Sequence, residues 1–358
     1  MGIDFAPQSW DAIQRNYTDW WAGRLERPLI HIELVGRNSG MPRPPGDLIS
    51  VTRDFNAPLD LIMDQWEYHL ASRQYMGDAY PNMLPDFGAG VNAAFMGAQG
   101  MITPETIWFS AAREMPMREL RFEYNPHERW YCRILDIYRA AAQRFAGNVC
   151  LGMTHLNNGI DPVARFFSGE AMLLALYDEP DEVLRLIGES HDLFWHYFQD
   201  FKCAMGSLNP GYTCWCSMFS VEPHFILQSD FSYMISPAMF ERFILPELKA
   251  CCKLIPNAFY HLDGVGQLDH LDMILSIPEL KGVQWIPGDG QPDMLCWPQV
   301  YQKIHRAGKL IQLIGGFEVL DVVAEQIGTA KGIYTVAEYP ATQMEWVIRS
   351  LERYDIDS

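Results

Sequence analysis

A chain of 358 residues, 49% hydrophobic and 20% charged, can bury a large core, which excludes a disordered polymer or a small disulfide scaffold. Its 45 acidic side chains against 27 basic ones leave a formal charge of -18, a field that repels phosphate backbones and anionic lipid, so nucleic acid and membranes are not expected partners. No basic segment leads into an apolar stretch near the start, and the eight cysteines lack Cys-x-x-Cys spacing and read as reduced thiols, so a cytoplasmic location is expected.

PLIHIELVG (28–36) predicts a first strand. The span 37–130, rich in Pro, Gly, Met and aromatics, predicts a second strand plus insertions that roof a pocket. Helices are expected at about 131–146 and 169–203, with a strand over NVCLGMTHL (148–156) between them. From Tyr212 onward, β-like and helix-like segments alternate across short connections, the pattern of a parallel sheet covered by helices. TCWCSMF (213–219) reads as a strand, and SPAMFERFILPELKACCKLI (236–255) as a helix with Ser236 at its N-cap and Pro237 in its first position. Strands AFYHLD, GVQWIPG, KLIQLIGG and GIYTVAEY then alternate with helices from about Gln267, at 294–307, over EVLDVVAEQIG and over TQMEWVIRSLERY. These elements predict one α/β domain over 1–358, a (β/α)8 TIM barrel with extra N-terminal segments. An open doubly wound sheet would carry a Gly-rich turn after its first strand, where VGRNSGMPRPPG has prolines instead.

In such a barrel the side chains at the C-terminal strand ends converge on one pocket. Those positions are Trp215, His261, Asp263, Gln284, Trp285, Glu318 and Glu338, joined by His155 and Asn157 near the end of an earlier strand. His261 and Asp263, two apart on a strand, share a face where they can share a proton or a metal; the plainer alternative is a buried histidine bonded to an acid for stability. Glu338 can serve as acid, base or hard ligand. Gln284 and Trp285 suit a stacking wall for a ring, although Trp285 could equally fill the barrel mouth. Glu318 opens a helix, where a favourable helix-dipole contact competes with chemistry. Cys214 and Cys216 would share one strand face, as metal ligands or as small buried hydrophobes.

The run LQSDFSYMISPAMFERFILPELKACCKLIPNAFYHLDGVGQLDHLDMIL resembles the uroporphyrinogen decarboxylase superfamily, including its corrinoid-dependent methyltransferase branch: SPAMF, LPEL and FYHLDG fall in that superfamily's order. GIDPVARFFSGEAMLLALYDEPDEVLRLIGE resembles a further segment of it. The resemblance implies a barrel enzyme, a methyltransferase or a lyase, often a homodimer. The decarboxylase's arginine-rich N-terminal motif is matched only in part, by Arg24 and Arg27 in WWAGRLERPL. The methyltransferase branch holds zinc through His-x-Cys and a distant Cys. Here the motif is His261-Leu262-Asp263 and Glu338 stands where the distant Cys is expected, so the resemblance implies a zinc or related ion on His261, Asp263 and Glu338. Three functions follow: metal-assisted methyl transfer between a small methylated compound and a corrinoid on a partner protein or another acceptor; an acid/base lyase or hydrolase of a ring-shaped, carboxylated or sugar-like substrate; and a non-enzymatic small-molecule binder.

Overall fold

The structure, a computed structural model, describes residues 2–103 and 106–356. Its strands are β1 (Leu29–Val35), β2 (Arg73–Gly77), β3 (Asn82–Met83), β4 (Gln99–Ile102), β5 (Ile107–Ser110), β6 (Cys150–Leu151), β7 (His224–Gln228), β8 (Asn257–Asp263), β9 (Gly282–Ile286), β10 (Leu310–Ile314) and β11 (Ile333–Pro340). One sheet has the order β2-β1-β11-β10-β9-β8-β7, all parallel except β2, which lies antiparallel on the edge beside β1. β3 and β6 form a separate parallel pair, and β4 and β5 an antiparallel hairpin. The α/β character with a parallel central sheet is therefore as expected. Among the described residues, no ladder joins the β3–β6 pair to either edge of the large sheet.

Local chemistry explains most boundaries. Ser236 accepts a hydrogen bond from the Met239 amide at 3.3 Å and Pro237 follows it, so this helix starts where its sequence dictates. It then widens into a π turn over Phe240–Ile244, immediately before Pro246 in the segment Leu245–Leu254. Proline offers no amide to the preceding turn, and inserting one residue accommodates that loss. The helix expected over 169–203 is two helices, Gly169–Asp178 and Pro180–Ala204, because Pro180 supplies the first position of the second. The final helix starts at Met344 and not at Thr342, which lies in a 3-10 turn.

TCWCSMF is not a strand. Its backbone folds into a turn in which the Ser217 amide bonds to the Cys214 carbonyl at 3.0 Å, and Ser217 itself adopts a left-handed conformation, φ 54°. Alternation of Cys, Trp and Cys mimicked a strand, but no neighbouring strand pairs with it. The turn lies instead against one face of the sheet: Gln312 of β10 donates to the Cys216 carbonyl at 3.2 Å, and Tyr334 of β11 donates to the Ser217 carbonyl at 2.7 Å.

The N-terminal helix Ser9–Trp21 packs against the sheet and against Phe219. Its apolar positions, Trp10, Ile13, Tyr17, Trp20 and Trp21, recur at helical spacing and are buried. Trp20 stacks on Phe259 at 6.2 Å, and Tyr17 meets the edge of Phe219 at 5.7 Å. Gly282 belongs to this packing, since a Cβ there would come within 2.1 Å of the Phe259 ring.

Candidate active site

Register creates the site. Gln228, His261, Gln284, Gln312 and Tyr334 are successive ladder partners on β7, β8, β9, β10 and β11, so they form one row across one face of the sheet. Neighbouring strands lie about 4.8 Å apart, close enough for adjacent amide side chains in a row to bond to one another. The bonds have a single consistent direction. Gln312 Nε2 donates to the Cys216 carbonyl, so its Oε1 accepts from Gln284 Nε2 at 2.7 Å. Gln284 Oε1 must then accept from His261 Nδ1. A carbonyl can only accept, so the chain fixes a proton of His261 on Nδ1, and in the neutral imidazole the lone pair is on Nε2. That nitrogen lies 3.8 Å from the Asp263 carboxylate, two residues on and on the same face.

The same logic orients His155. Gln228 Nε2 donates to Asp230 at 3.2 Å, so its Oε1 accepts from His155 Nε2 at 2.8 Å. Trp215 is wedged between the two histidines, stacked on His155 at 5.4 Å and edge-on to His261 at 5.2 Å. Burial holds His155 below the usual histidine range, against the opposing pull of its bond to Gln228.

A cavity of 590 Å³ opens beside His155 and Trp215, bordered also by Cys214, Ser217 and Glu338 and by His69, Thr52 and Asp86 from the 37–130 span; His261 and Asp263 are not among the residues that line it. His69 is pushed down to about 4 by burial and by Arg73 nearby. On the other side, Asp263 faces a hollow shared with Asp230, Tyr233 and Asp289. Burial and the charges of Asp230 and Asp289 raise the Asp263 carboxyl, while His261 in its protonated form pulls it back. Beneath it Asp161 accepts the amides of Asp230 and Phe231 at 2.8 and 3.1 Å, yet burial and Asp230 push its carboxyl up to about 7.

The other expected residues are placed differently. Gln284 is buried and holds His261, with no access to a substrate. Trp285, one residue along, points to the opposite face and packs edge-on to Trp297 at 5.5 Å under the helices, 1% exposed; successive strand residues alternate faces, so it cannot line the cavity with Gln284. Asn157 is buried against Gly90, its backbone paired to Asn92 and its side-chain amide without a partner. Glu318 accepts from the Tyr339 hydroxyl at 2.9 Å. Glu338 is held by Arg73 at 2.8 Å, and Arg73 also grips Glu33 at 2.6 Å on the adjacent strand. Burial alone would raise Glu33, but His31 and Arg73 outweigh it and hold the carboxyl below its usual range.

His261, Asp263 and Glu338 are not among the sets of three donor residues that lie within 4.8 Å of one another among the described residues, and Glu338 is paired to Arg73. Two other sets of three donors do lie within 4.8 Å of one another among the described residues. In one, Glu247 accepts from Cys251 at 3.0 Å, contacts His191 at 3.1 Å and takes an Asn158 amide at 3.0 Å, a knot already satisfied by its own members. The other is Cys214, Cys216 and His224. Residue pairing at i and i+2 hinted at the two sulfurs, but His224 opens the next strand and gave no sequence signal.

No family model matches this sequence, and no curated protein matches it significantly. Among solved structures, a methyltransferase from Methanosarcina mazei is similar, with a TM-score of 0.62 over 96% of this chain and 99% of that chain at 8% sequence identity. The two chains share a fold.

Proposed function

We propose that this chain is an enzyme that transfers a methyl group, with His261 as the base that deprotonates the acceptor. In this reading the β3–β6 pair completes an eight-stranded barrel with the six parallel strands of the large sheet. The active end is then the C-terminal rim carrying His261 and Asp263.

The observation that carries the reading is the glutamine row, which spends two buried amides on presenting His261 Nε2 unprotonated beside a carboxylate. As the acceptor attacks the methyl carbon, its X–H proton passes to Nε2, the new X–C bond forms, and the electron pair of the broken bond leaves with the donor. Asp263 stabilises the resulting imidazolium. The fold shared with a methyltransferase and the resemblance of the SPAMF–FYHLDG run support the choice of group transferred. A corrinoid on a partner protein is the donor or acceptor that this resemblance favours. No step is assigned to a metal on His261, Asp263 and Glu338.

The acidic hollow around Asp263 favours one second reading, an acid/base lyase in which the raised Asp263 carboxyl donates a proton. Both readings are tested by incubating purified protein with 13C-methyl donors, methylcobalamin among them, and a panel of thiol, amine and hydroxyl acceptors, followed by NMR. Transfer of the label that is lost in His261→Ala is expected. Cleavage products without label transfer would favour the lyase, and binding without turnover across the panel would overturn both.

A further inference from the structure

The second three-donor set carries an inference that does not depend on the role of His261. Cys214 and Cys216 flank Trp215 in the turn against the sheet, and both thiols are buried and free of disulfides. Their sulfurs lie 3.2 Å apart, well beyond the roughly 2.05 Å of a disulfide. His224, the first residue of β7, directs Nε2 at both, at 3.7 Å from Cys214 and 3.9 Å from Cys216.

The tautomer of His224 is fixed in the way that ligating histidines are fixed. Nδ1 lies 2.6 Å from the backbone carbonyl of Asn257, its ladder partner on β8, and a carbonyl can only accept. The proton is therefore on Nδ1, and the lone pair of Nε2 faces the sulfurs. Trp21 packs against the imidazole at 5.1 Å, its own indole N–H donating to the Phe219 carbonyl at 2.8 Å, so water is shut out on that side.

Separations discriminate among ions. Tetrahedral bonds of about 2.3 Å to sulfur and about 2.05 Å to nitrogen place two sulfurs about 3.8 Å apart and each sulfur about 3.6 Å from the nitrogen. Two of the three observed distances are within about 0.3 Å of that arrangement, and the sulfur pair needs to open by about 0.6 Å. Thiolate and imidazole donors select zinc and similar soft ions over magnesium or calcium, which require oxygen. No fourth His, Cys, Asp or Glu joins the set among the described residues, and Cys214 borders the 590 Å³ cavity beside His155 and Ser217. Three protein ligands with an exchangeable fourth position is the pattern of catalytic zinc.

We propose that Cys214, Cys216 and His224 bind one zinc ion whose fourth position is open to the cavity and takes water or a soft donor atom of a ligand.

Metal analysis of the holoprotein, read without any activity assay, tests this. The protein as purified, or after chelation and reloading with one equivalent of zinc, is expected to hold one zinc per chain through gel filtration. That stoichiometry should fall to none in Cys214→Ser and in His224→Gln, and should stay at one in Cys203→Ser, an exposed cysteine outside the set. Loading the wild type with cobalt(II) should give thiolate-to-metal charge-transfer absorption together with tetrahedral d–d bands. This second readout decides the matter even where a cysteine variant fails to fold. Failure of the wild type to retain zinc, retention of zinc by folded Cys214→Ser, or a cobalt complex without thiolate charge transfer would each overturn the assignment. Methyl-transfer activity that survives any of these outcomes would leave the His261 reading intact.

Discussion

Replacing Gln284 with leucine removes the central link of the glutamine row while keeping its volume. Two polar atoms lose their partner, His261 Nδ1 and Gln312 Oε1, in a region where Gln284 and Gln312 are both buried. An orphaned buried donor or acceptor costs about 1–3 kcal/mol, so the pair costs about 2–6 kcal/mol. The imidazole recovers part of this by moving its proton to Nε2, beside Asp263, which brings the expected loss to about 2–4 kcal/mol. That same movement consumes the lone pair that serves as the base. Two measurements read the two consequences. Urea denaturation of Gln284→Leu gives the stability loss, and 15N NMR of histidine-labelled protein gives the tautomer, expected to be Nδ1–H in the wild type and Nε2–H in the variant. A wild-type spectrum with the proton on Nε2, or a stability change below about 0.5 kcal/mol, would refute the derivation of the site from the row.

Trp285→Ala is expected to cost about 3–5 kcal/mol through the cavity it leaves beneath the helices, with no change in kcat per folded molecule; a change in substrate KM at unchanged stability would return Trp285 to the binding site. Arg73→Met should destabilise by about 3 kcal/mol, because it strands the largely buried Glu33, whereas Glu338→Gln, at a side chain that is 57% exposed, should cost less than about 1 kcal/mol; equal costs in denaturant titrations would contradict this. Asp161 in the folded chain titrates near 7, above the roughly 3.9 of an unfolded aspartate, so the stability it contributes is complete below about pH 4 and is lost as pH rises to about 7. Melting temperatures between pH 4 and 8 should therefore fall more steeply for the wild type than for Asp161→Asn, and parallel slopes would remove the claim.

The four parallel strands from residue 257 onward were legible because each is a short apolar run closed by Gly or Pro and followed by a helix; AFYHLD and GVQWIPG are examples whose paired residues match those ranges. β7 was missed: HFILQ lies between Pro223 and Ser229 in what read as a long connection, and the strand was assigned to TCWCSMF instead. The proximity of His261 to Asp263 was legible from their spacing alone. Their support was not, because the row of Gln228, His261, Gln284 and Gln312 depends on register between strands that lie more than twenty residues apart. Trp285 was misplaced for a local reason: at a strand end, adjacent residues such as Gln284 and Trp285 look equally available, but only one of two faces meets the cavity. TCWCSMF alternates like a strand yet turns at Ser217, and only the folded chain shows which partners, Gln312 and Tyr334, take its carbonyls. The edge strand Arg73–Gly77 was hidden because RQYMG carries no apolar alternation.

The role of His261 is tested most directly by steady-state kinetics of His261→Gln beside the wild type on the first methyl donor and acceptor pair that turns over. Glutamine keeps a polar group in the row but cannot take a proton, so kcat is expected to fall by about 10²–10⁴ while KM stays within a small factor. A variant that transfers methyl groups at the wild-type rate would show that the base is elsewhere, and the site built here would lose its chemistry.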